Sequence, residues 1–372
     1  MLTIAPNVDF TSALNQAAFK TAFNTFLNEL RTNGAALADI RGMKNRIING
    51  KMDRSIRGTT FAAANGFTLD RWSYAGLTEG VVTITQNSDV PSSKEFQNSL
   101  RVAVTTLDAS IAAGQYSFVT QPIEGYNVRD LIGKAFTISF WVRSTKTGTH
   151  CLFLRNSIAD RSYIAEYTVI DSNTWELKTV TVAGGLPTAG TWNWTNGRGL
   201  EVGFALIAGS TYQTTAGAWQ TGNFHGTSNQ VNCLDNTANI FAITGVQLEL
   251  GTITSPQFEH RPYGVEENLC LRYLPVVSFA DYNYQGQAYA STAIRAWVPF
   301  HVPARVAPTG SSSLTGIVAS QANLANAGGT PAFMAASTSG CNLSVTGATG
   351  LTIGNSSMLQ GVATVYFNGC EL

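Results

Sequence analysis

Charge is what this sequence has least of. Only 12% of its 372 residues are Asp, Glu, Lys or Arg, and 23 basic side chains balance 23 acidic ones, so the formal net charge is zero. Without excess positive charge there is no long-range field to draw the chain to nucleic acid or to an anionic membrane, and neither is expected as a partner. From Val306 to Cys370 there is no charged residue and no histidine. A chargeless surface is poorly soluble, so this stretch is expected to be covered by neighbouring subunits or to form a small uncharged tip. Long apolar runs are missing too. No segment approaches the roughly 18 apolar residues of a membrane span, so no membrane insertion is expected. The first residues lack the basic-then-apolar order of a secretion signal, so synthesis in a cytoplasm is expected.

Cysteine and histidine are sparse and scattered. Cys151, Cys233, Cys270, Cys341 and Cys370 are odd in number and form no CxxC pair, which favours buried free thiols over a disulfide framework or a zinc site. His150, His225, His260 and His301 lie far apart with no HExxH spacing. There is no P-loop, no GxGxxG after a strand and no GxSxG elbow. No catalytic residue, metal or cofactor is therefore expected. Paired carboxylates for glycoside cleavage leave no spacing signature. The adjacent acids Glu266 and Glu267 fall in a short helical pattern, whose N-terminal dipole would favour them.

What is present is mainly β, and a chain of this length implies two or three domains. Residues 12 to 47 carry the only sustained helical periodicity. Phe19, Phe23, Phe26, Leu30, Asn33, Leu37, Ile40, Lys44 and Ile47 follow a 4-3-4-3 spacing, the seam of a coiled coil, broken at Gly34. Such a stripe has no core of its own, so residues 1–46 read as a segment that packs on copies of itself or docks on another protein, with Phe19, Phe23, Phe26, Leu30, Leu37 and Ile40 as its contacts; the alternative is a helix folded back on its own β-domain. The basic run from Arg41 to Arg57 reads as a solvated collar at the domain junction.

Residues 47–262 read as a two-sheet sandwich, most simply a jelly roll, with strands at 80–86, 100–106, 136–143, 175–182, 200–207 and 240–250. In the clearest strand Phe136, Ile138, Phe140 and Val142 line one face, and Thr137, Ser139, Trp141 and Arg143 the other. Trp72, Trp141 and Trp175, on or beside strands, are assigned to the core. The Gly- and Thr-rich stretch from Leu186 to Cys233 concentrates Trp192, Trp194, Tyr212, Trp219, Phe224 and His225. Long aromatic loops on a rigid scaffold are where binding tends to live. Trp192, Trp194, Tyr212 and Trp219 are the candidate contacts for the apolar faces of sugar rings, although they could equally pin the loop or fill a subunit interface.

Residues 263–372 read as a short linker helix, with Val265, Leu269 and Tyr273 on one stripe, and a small C-terminal β-domain. Alternation from Gln287 to Val298 and strands at 342–346 and 360–367 mark that domain. Truncating Leu269 or Tyr273 is expected to cost about 2–5 kcal/mol if both are buried.

The segment TGVQLELGTITSPQFEHRPYGVEENLCLRY resembles a block that recurs in phage tail-fibre and related virion-appendage proteins. NRIINGKMDRSIRGTTFAAANGFTLDRW, the FTISFWVRS strand, GAWQTGNFHGTSNQVN and the final YFNGCEL resemble the same group. The departures are Gln257, where the block has Phe, and Leu271, where it has Gln. The resemblance implies a jelly roll like that of carbohydrate-binding modules and a small β-domain in an oligomeric fibre, often trimeric, on a virion. It supplies no catalytic residue. The reading it favours is a non-enzymatic fibre protein, docked through its N-terminus and binding a host glycan or receptor. The alternatives are a capsid or baseplate decoration protein without a receptor, and a polysaccharide depolymerase.

Overall fold

The computed structural model describes Lys20, Thr21, residues 23–25 and residues 43–372, except 63–64, 93–94, 281–282, 322–323 and 362. Two compact units result, Met1–Lys44 and Asn45–Leu372. In the first, the described residues 20, 21 and 23–25 are helical, the Thr25 hydroxyl donates to the Thr21 carbonyl at 3.0 Å, and Phe23 is exposed. Phe19, Phe26, Leu30, Leu37 and Ile40 lie outside the described residues. The expected helical seam does not reach its last position. Residues 43–47 are not helical, and Ile47 is fully buried in the sandwich core.

The sandwich consists of β1 (Thr60–Ala62), β2 (Gly66–Phe67), β3 (Ser73–Leu77), β4 (Val81–Asn87), β5 (Ser99–Thr106), β6 (Tyr116–Glu124), β7 (Phe136–Ser144), β8 (Gly148–Arg155), β9 (Arg161–Val169), β10 (Glu176–Val182), β11 (Arg198–Ala208), β12 (Trp219–Thr221) and β13 (Ile240–Leu250). One sheet runs β1-β4-β5-β13-β7-β10, and the other β12-β9-β8-β11-β6-β3-β2. The named strands pair antiparallel, and the chain crosses repeatedly from one sheet to the other, as in a jelly roll. β7 buries the face its alternation predicts, with Phe136, Ile138, Phe140 and Val142 fully buried, but Thr137 and Ser139 of the expected polar face are buried as well, and only Trp141 and Arg143 are half-buried. Phe140 meets Phe204 of β11 and Tyr167 of β9 edge to face, at 4.9 and 5.0 Å, and so stitches the two sheets together.

β6, β8 and β9 give no clean alternation because both of their faces are largely covered. Residues 209–231 roof the outer face of their sheet. Gly217 N–H donates to the Ile164 carbonyl at 2.8 Å, Phe224 N–H to Ser162 Oγ at 3.0 Å, and the Gln230 amide to the Ala205 carbonyl at 3.2 Å. Pro122 is tolerated in β6 because β3 pairs only as far as Thr120.

Three stretches far apart in the sequence meet at one end of the sandwich. Residues 45–48 run beside β13, with Arg46 N–H donating to the Leu248 carbonyl at 2.9 Å. Asn45 Oδ1 accepts from Ile47 and Leu248 N–H at 2.9 and 3.0 Å. Arg261, almost wholly buried, donates to Glu259 at 3.2 Å, to Glu266 and the Ile47 carbonyl at 3.1 Å, and to the Asn45 carbonyl. Only about 10 Å³ of space remains among these groups. Arg54 reaches Asp70 at 2.8 Å and Glu267 at 2.6 Å, and Arg57 pairs with Glu371. Burial pushes the Asp70 and Glu371 carboxyls up, against the pull of the paired arginines. The basic run is therefore not a solvated collar. Arg46, Lys51, Arg54 and Arg57 each meet a carboxylate. Glu266 and Glu267 likewise act as tertiary ion-pair partners, beyond any effect of a helix dipole.

The linker helix α1 (Tyr263–Leu271) buries its C-terminal end rather than the expected stripe. Val265 is exposed and Leu269 half-buried, while Cys270, Leu271, Tyr273 and Leu274 are buried. Past the helix, the Tyr273 hydroxyl donates to Glu124 at 2.7 Å, and the Arg71 guanidinium lies 3.6 Å from the centre of its ring. Arg272 donates to both oxygens of Glu124, at 3.0 and 2.6 Å.

The C-terminal domain comprises β14 (Val276–Ser278), β15 (Tyr284–Ala290), β16 (Ala293–Pro299), β17 (Gly310–Ser311), β18 (Ile317–Gln321), β19 (Leu324–Gly328), β20 (Thr330–Ser337), β21 (Gly340–Thr346), β22 (Ser356–Gly361) and β23 (Thr364–Asn368). Its sheets run β14-β23-β17 and β19-β18-β22-β15-β16-β21-β20, around a core of its own. The alternation from Gln287 to Val298 is a hairpin, not one strand, because Ser291 and Thr292 form its turn and leave the pattern in phase. The expected strand at 360–367 likewise divides between β22 and β23. Tyr289, Trp297 and Met334 are exposed on the outer side of the larger sheet. All five cysteines are free and buried.

The sandwich's outer surface corrects two assignments. Trp72 is fully buried, as expected, but Trp141 and Trp175 are only half-buried on the outer side of the β7 sheet. The Trp175 indole donates to Asp89 at 3.2 Å. Beside Trp141, β13 carries a bulge in which Gly245 has φ +60°, and a Cβ there would come within 2.6 Å of Phe96 and 3.1 Å of Trp141. Gly245→Ala is expected to cost about 1–3 kcal/mol in urea unfolding. An unchanged midpoint would mean that the bulge rebuilds freely.

Candidate functional site

Of the four aromatic candidates, the structure brings three together. Two connections build the place, one between β10 and β11 and the other after β11, which carries β12 back to the edge of β9. Trp219 of β12 pairs with Tyr163 of β9, their rings 5.6 Å apart. Trp192 and Trp194, two residues apart in an extended segment, stack nearly parallel at 5.1 Å and 8°. Trp192 meets Trp219 edge to face at 5.6 Å. All three are half-buried, with one side against the sandwich core.

Two of the three indole N–H groups are tied to backbone. Trp192 donates to the Ala189 carbonyl and Trp219 to the Gly185 carbonyl, both at 2.9 Å. The rings are thereby fixed, and their remaining free surface is apolar. Polar groups flank them. Asp160 accepts from Thr191 N–H at 3.2 and 3.1 Å and from the Asn156 amide, whose hydrogen bond is the main cause holding its carboxyl below the usual range. Arg161 donates to the Thr221 hydroxyl at 2.6 Å. Gly190, at φ +97°, lets the loop close on this group, because a Cβ there would meet Asp160 at 2.9 Å and Asn156 at 3.0 Å. Asn193 Oδ1 accepts Thr195 N–H at 2.9 Å and Gly197 N–H at 3.2 Å, which turns the chain after Trp192. Arg305 of the C-terminal domain braces the same loop through the Asn196 carbonyl at 2.8 Å. Fixed indole faces beside hydroxyl, amide and carboxylate groups can take up a sugar ring through its apolar face and its hydroxyls.

Tyr212 belongs elsewhere. It stacks on His225 at 4.8 Å and 16°, and meets Tyr116 edge to face at 5.0 Å, as part of the roof over the β6–β11 sheet. Beneath it lies a buried polar cluster that no sequence motif marks. Arg155 donates to Glu201 at 3.1 and 2.7 Å, to Asn223 at 2.8 Å and to His225 Nε2 at 2.6 Å, between the rings of Phe118 and Phe153. Burial, and then the Arg155 charge, lower the His225 pKa to about 2, so the ring is neutral. With Nε2 accepting, the proton sits on Nδ1. This roofed cluster is structural rather than open to a ligand. Among the described residues no group of three or more His, Cys, Asp or Glu side chains could hold a metal ion, and no helix is long and apolar enough to cross a membrane.

No family model and no curated protein matches the chain. Solved structures similar to it include the enzymatically active domain of tailspike protein 4 from bacteriophage CBA120, at 18% identity and a TM-score of 0.30 over 55% of this chain. The match spans about a fifth (21%) of that chain's length. The carbohydrate-binding module TmCBM61 in complex with β-1,4-galactotriose is 11% identical over 56% of this chain and all (100%) of its own, with a TM-score of 0.30. A family 11 carbohydrate-binding module from Clostridium thermocellum, in complex with a mixed-linked tetrasaccharide, is 11% identical over 52% of this chain and 95% of its own, with a TM-score of 0.28. TM-scores this low assign neither ligand nor activity to this chain.

Proposed function

We propose that this chain is a non-enzymatic fibre protein of a phage virion, docked and trimerised through its N-terminal segment, whose sandwich binds a host-surface glycan at the Trp192–Trp194–Trp219 edge. The observation that carries the binding site is the ring trio itself. Three half-exposed indoles, two held by backbone hydrogen bonds and the third stacked on one of these, are flanked by polar groups at an edge of the sandwich rather than in its core. The phage reading rests on the sequence blocks, three of which (45–72, 245–274 and the C-terminal YFNGCEL) converge on a single ion-paired junction. Oligomerisation fits such a site. A millimolar sugar contact is worth only about 4 kcal/mol, and linking copies raises effective affinity by about 10²- to 10⁴-fold.

A glycan array probed with the full chain tests this. Trp192→Ala and Trp219→Ala are each expected to lower binding about tenfold or more, as truncation of a buried aromatic anchor does, while Tyr212→Ala is expected to matter less. Absence of binding to any host envelope fraction would leave a decoration protein. Release of reducing ends from host polysaccharide would make it a depolymerase. Light scattering that finds a monomer would remove the trimer.

A further inference from the structure

On the other sheet, away from the tryptophan edge, the bulge at Gly245 leaves an open cavity of about 240 Å³ on the outer face of β7 and β10. Ser139 and Trp141 alternate outward from β7, and Leu177 of β10 lies opposite Trp141 in the ladder. Phe258 forms another wall, packed edge to face against Phe96 at 5.2 Å, and Glu95 and Gln257 stand exposed at the rim. Ser139, 4% exposed as a residue, also lines this cavity and sets a hydroxyl-bearing side chain in its wall.

We propose that this cavity is a second saccharide site, which takes a single neutral hexose unit. The inference rests on the reading of the chain as a glycan binder but places a different pocket in contact with the ligand. The volume lies below the usual 300–1,000 Å³ or so of a drug-sized site, which suits one ring rather than a folded partner. Trp141, Leu177 and Phe258 offer apolar surface to a pyranose face. Ser139 can donate or accept, Glu95 accepts and the Gln257 amide does both, a mixture that matches vicinal hydroxyls better than it matches an apolar or purely cationic ligand. Among the described residues Glu95 is the one charged residue of the lining, and it would repel a uronate.

Ligand-observed NMR on the full chain, with D-glucose, D-galactose, D-mannose and D-glucuronate as separate probes, decides the matter. At least one neutral hexose is expected to bind with a Kd on the order of 1 mM, and glucuronate about tenfold or more weaker. Trp141→Ala and the exposed-site variant Gln257→Ala are each expected to weaken that binding about tenfold, while Trp219→Ala leaves it intact. Gln257 lies at the surface, so its variant separates binding from folding. No binding of any hexose by the wild type overturns the proposal, as does stronger binding of tetramethylammonium than of any hexose. Hexose binding that survives Trp141→Ala but is lost in Trp219→Ala overturns this site and leaves the tryptophan edge standing. The converse result leaves this site and removes the edge.

Discussion

Tyr273→Ala is expected to lower the unfolding free energy of the Asn45–Leu372 unit by about 3–5 kcal/mol, the upper range for removing a buried aromatic ring. The side chain is 1% exposed and joins three elements that are distant in sequence. Its hydroxyl donates to Glu124 at the end of β6, its ring face carries the buried Arg71 guanidinium, and its backbone leads from α1 into β14. Removing the ring opens a cavity and also strips Arg71 of its cation–π partner. Tyr273→Phe keeps the stack and loses only the donor to a charged acceptor, so about 1.5–3 kcal/mol is expected. Leu269→Ala, at a half-buried position, should fall below both. Urea unfolding of the three variants gives the order directly. Equal costs for Tyr273→Ala and Leu269→Ala would mean that the junction carries no special share of the stability.

Between pH 7 and pH 5 the protein is expected to lose about 2 kcal/mol of stability through His225 alone. The folded ring, buried beneath Tyr212 and hydrogen-bonded to the Arg155 cation, has its pKa lowered from 6.5 to about 2. The unfolded chain takes up a proton below pH 6.5, and the native chain does not. The stabilisation is therefore whole above pH 6.5 and is lost progressively as pH falls. At pH 5 the gap is about 1.5 pH units below the unfolded pKa, at 1.36 kcal/mol each. His150, buried between the sheets, has its pKa lowered in the same direction, chiefly by burial, and adds to the loss. Asp70 and Glu371, whose folded pKa values are raised, act with the opposite sign and gain stability as they protonate. Comparing His225→Gln with the wild type at both pH values isolates the single residue, since only the difference in pH slope is read. The variant's loss is expected to be smaller by about 2 kcal/mol. Parallel slopes would mean that the native ring protonates freely.

The alternation of Phe136, Ile138, Phe140 and Val142 determined β7 and its core-facing side by itself, and the run at 240–250 marked β13, which the fold covers on both faces. Alternating residue types write a strand's core-facing side into neighbouring positions, so that information is local. β6, β8 and β9 were not legible, because a roof from residues 209–231 buries their second face and erases the alternation. The hairpin of β15 and β16 was hidden for a related reason, a two-residue turn that leaves the period of two unbroken.

Aromatic content identified the loops that hold Trp192, Trp194 and Trp219. That Tyr212 stacks instead on His225, and that Trp141 faces outward over a cavity, follow from which sheet face each strand presents and what covers it. The sequence also contained every charge of the junction, but pairs such as Arg54 with Glu267 and Arg57 with Glu371 join residues more than 200 positions apart. Ion pairing at that separation has no local signature. Composition therefore established a β-rich chain of low charge with few titratable side chains to spare. Only the tertiary structure decided that Arg54 and Arg57 meet Glu267 and Glu371 and so tie the sandwich to the linker helix and the C-terminal residues, because the partners of a charge are chosen by where the fold brings the chain back together.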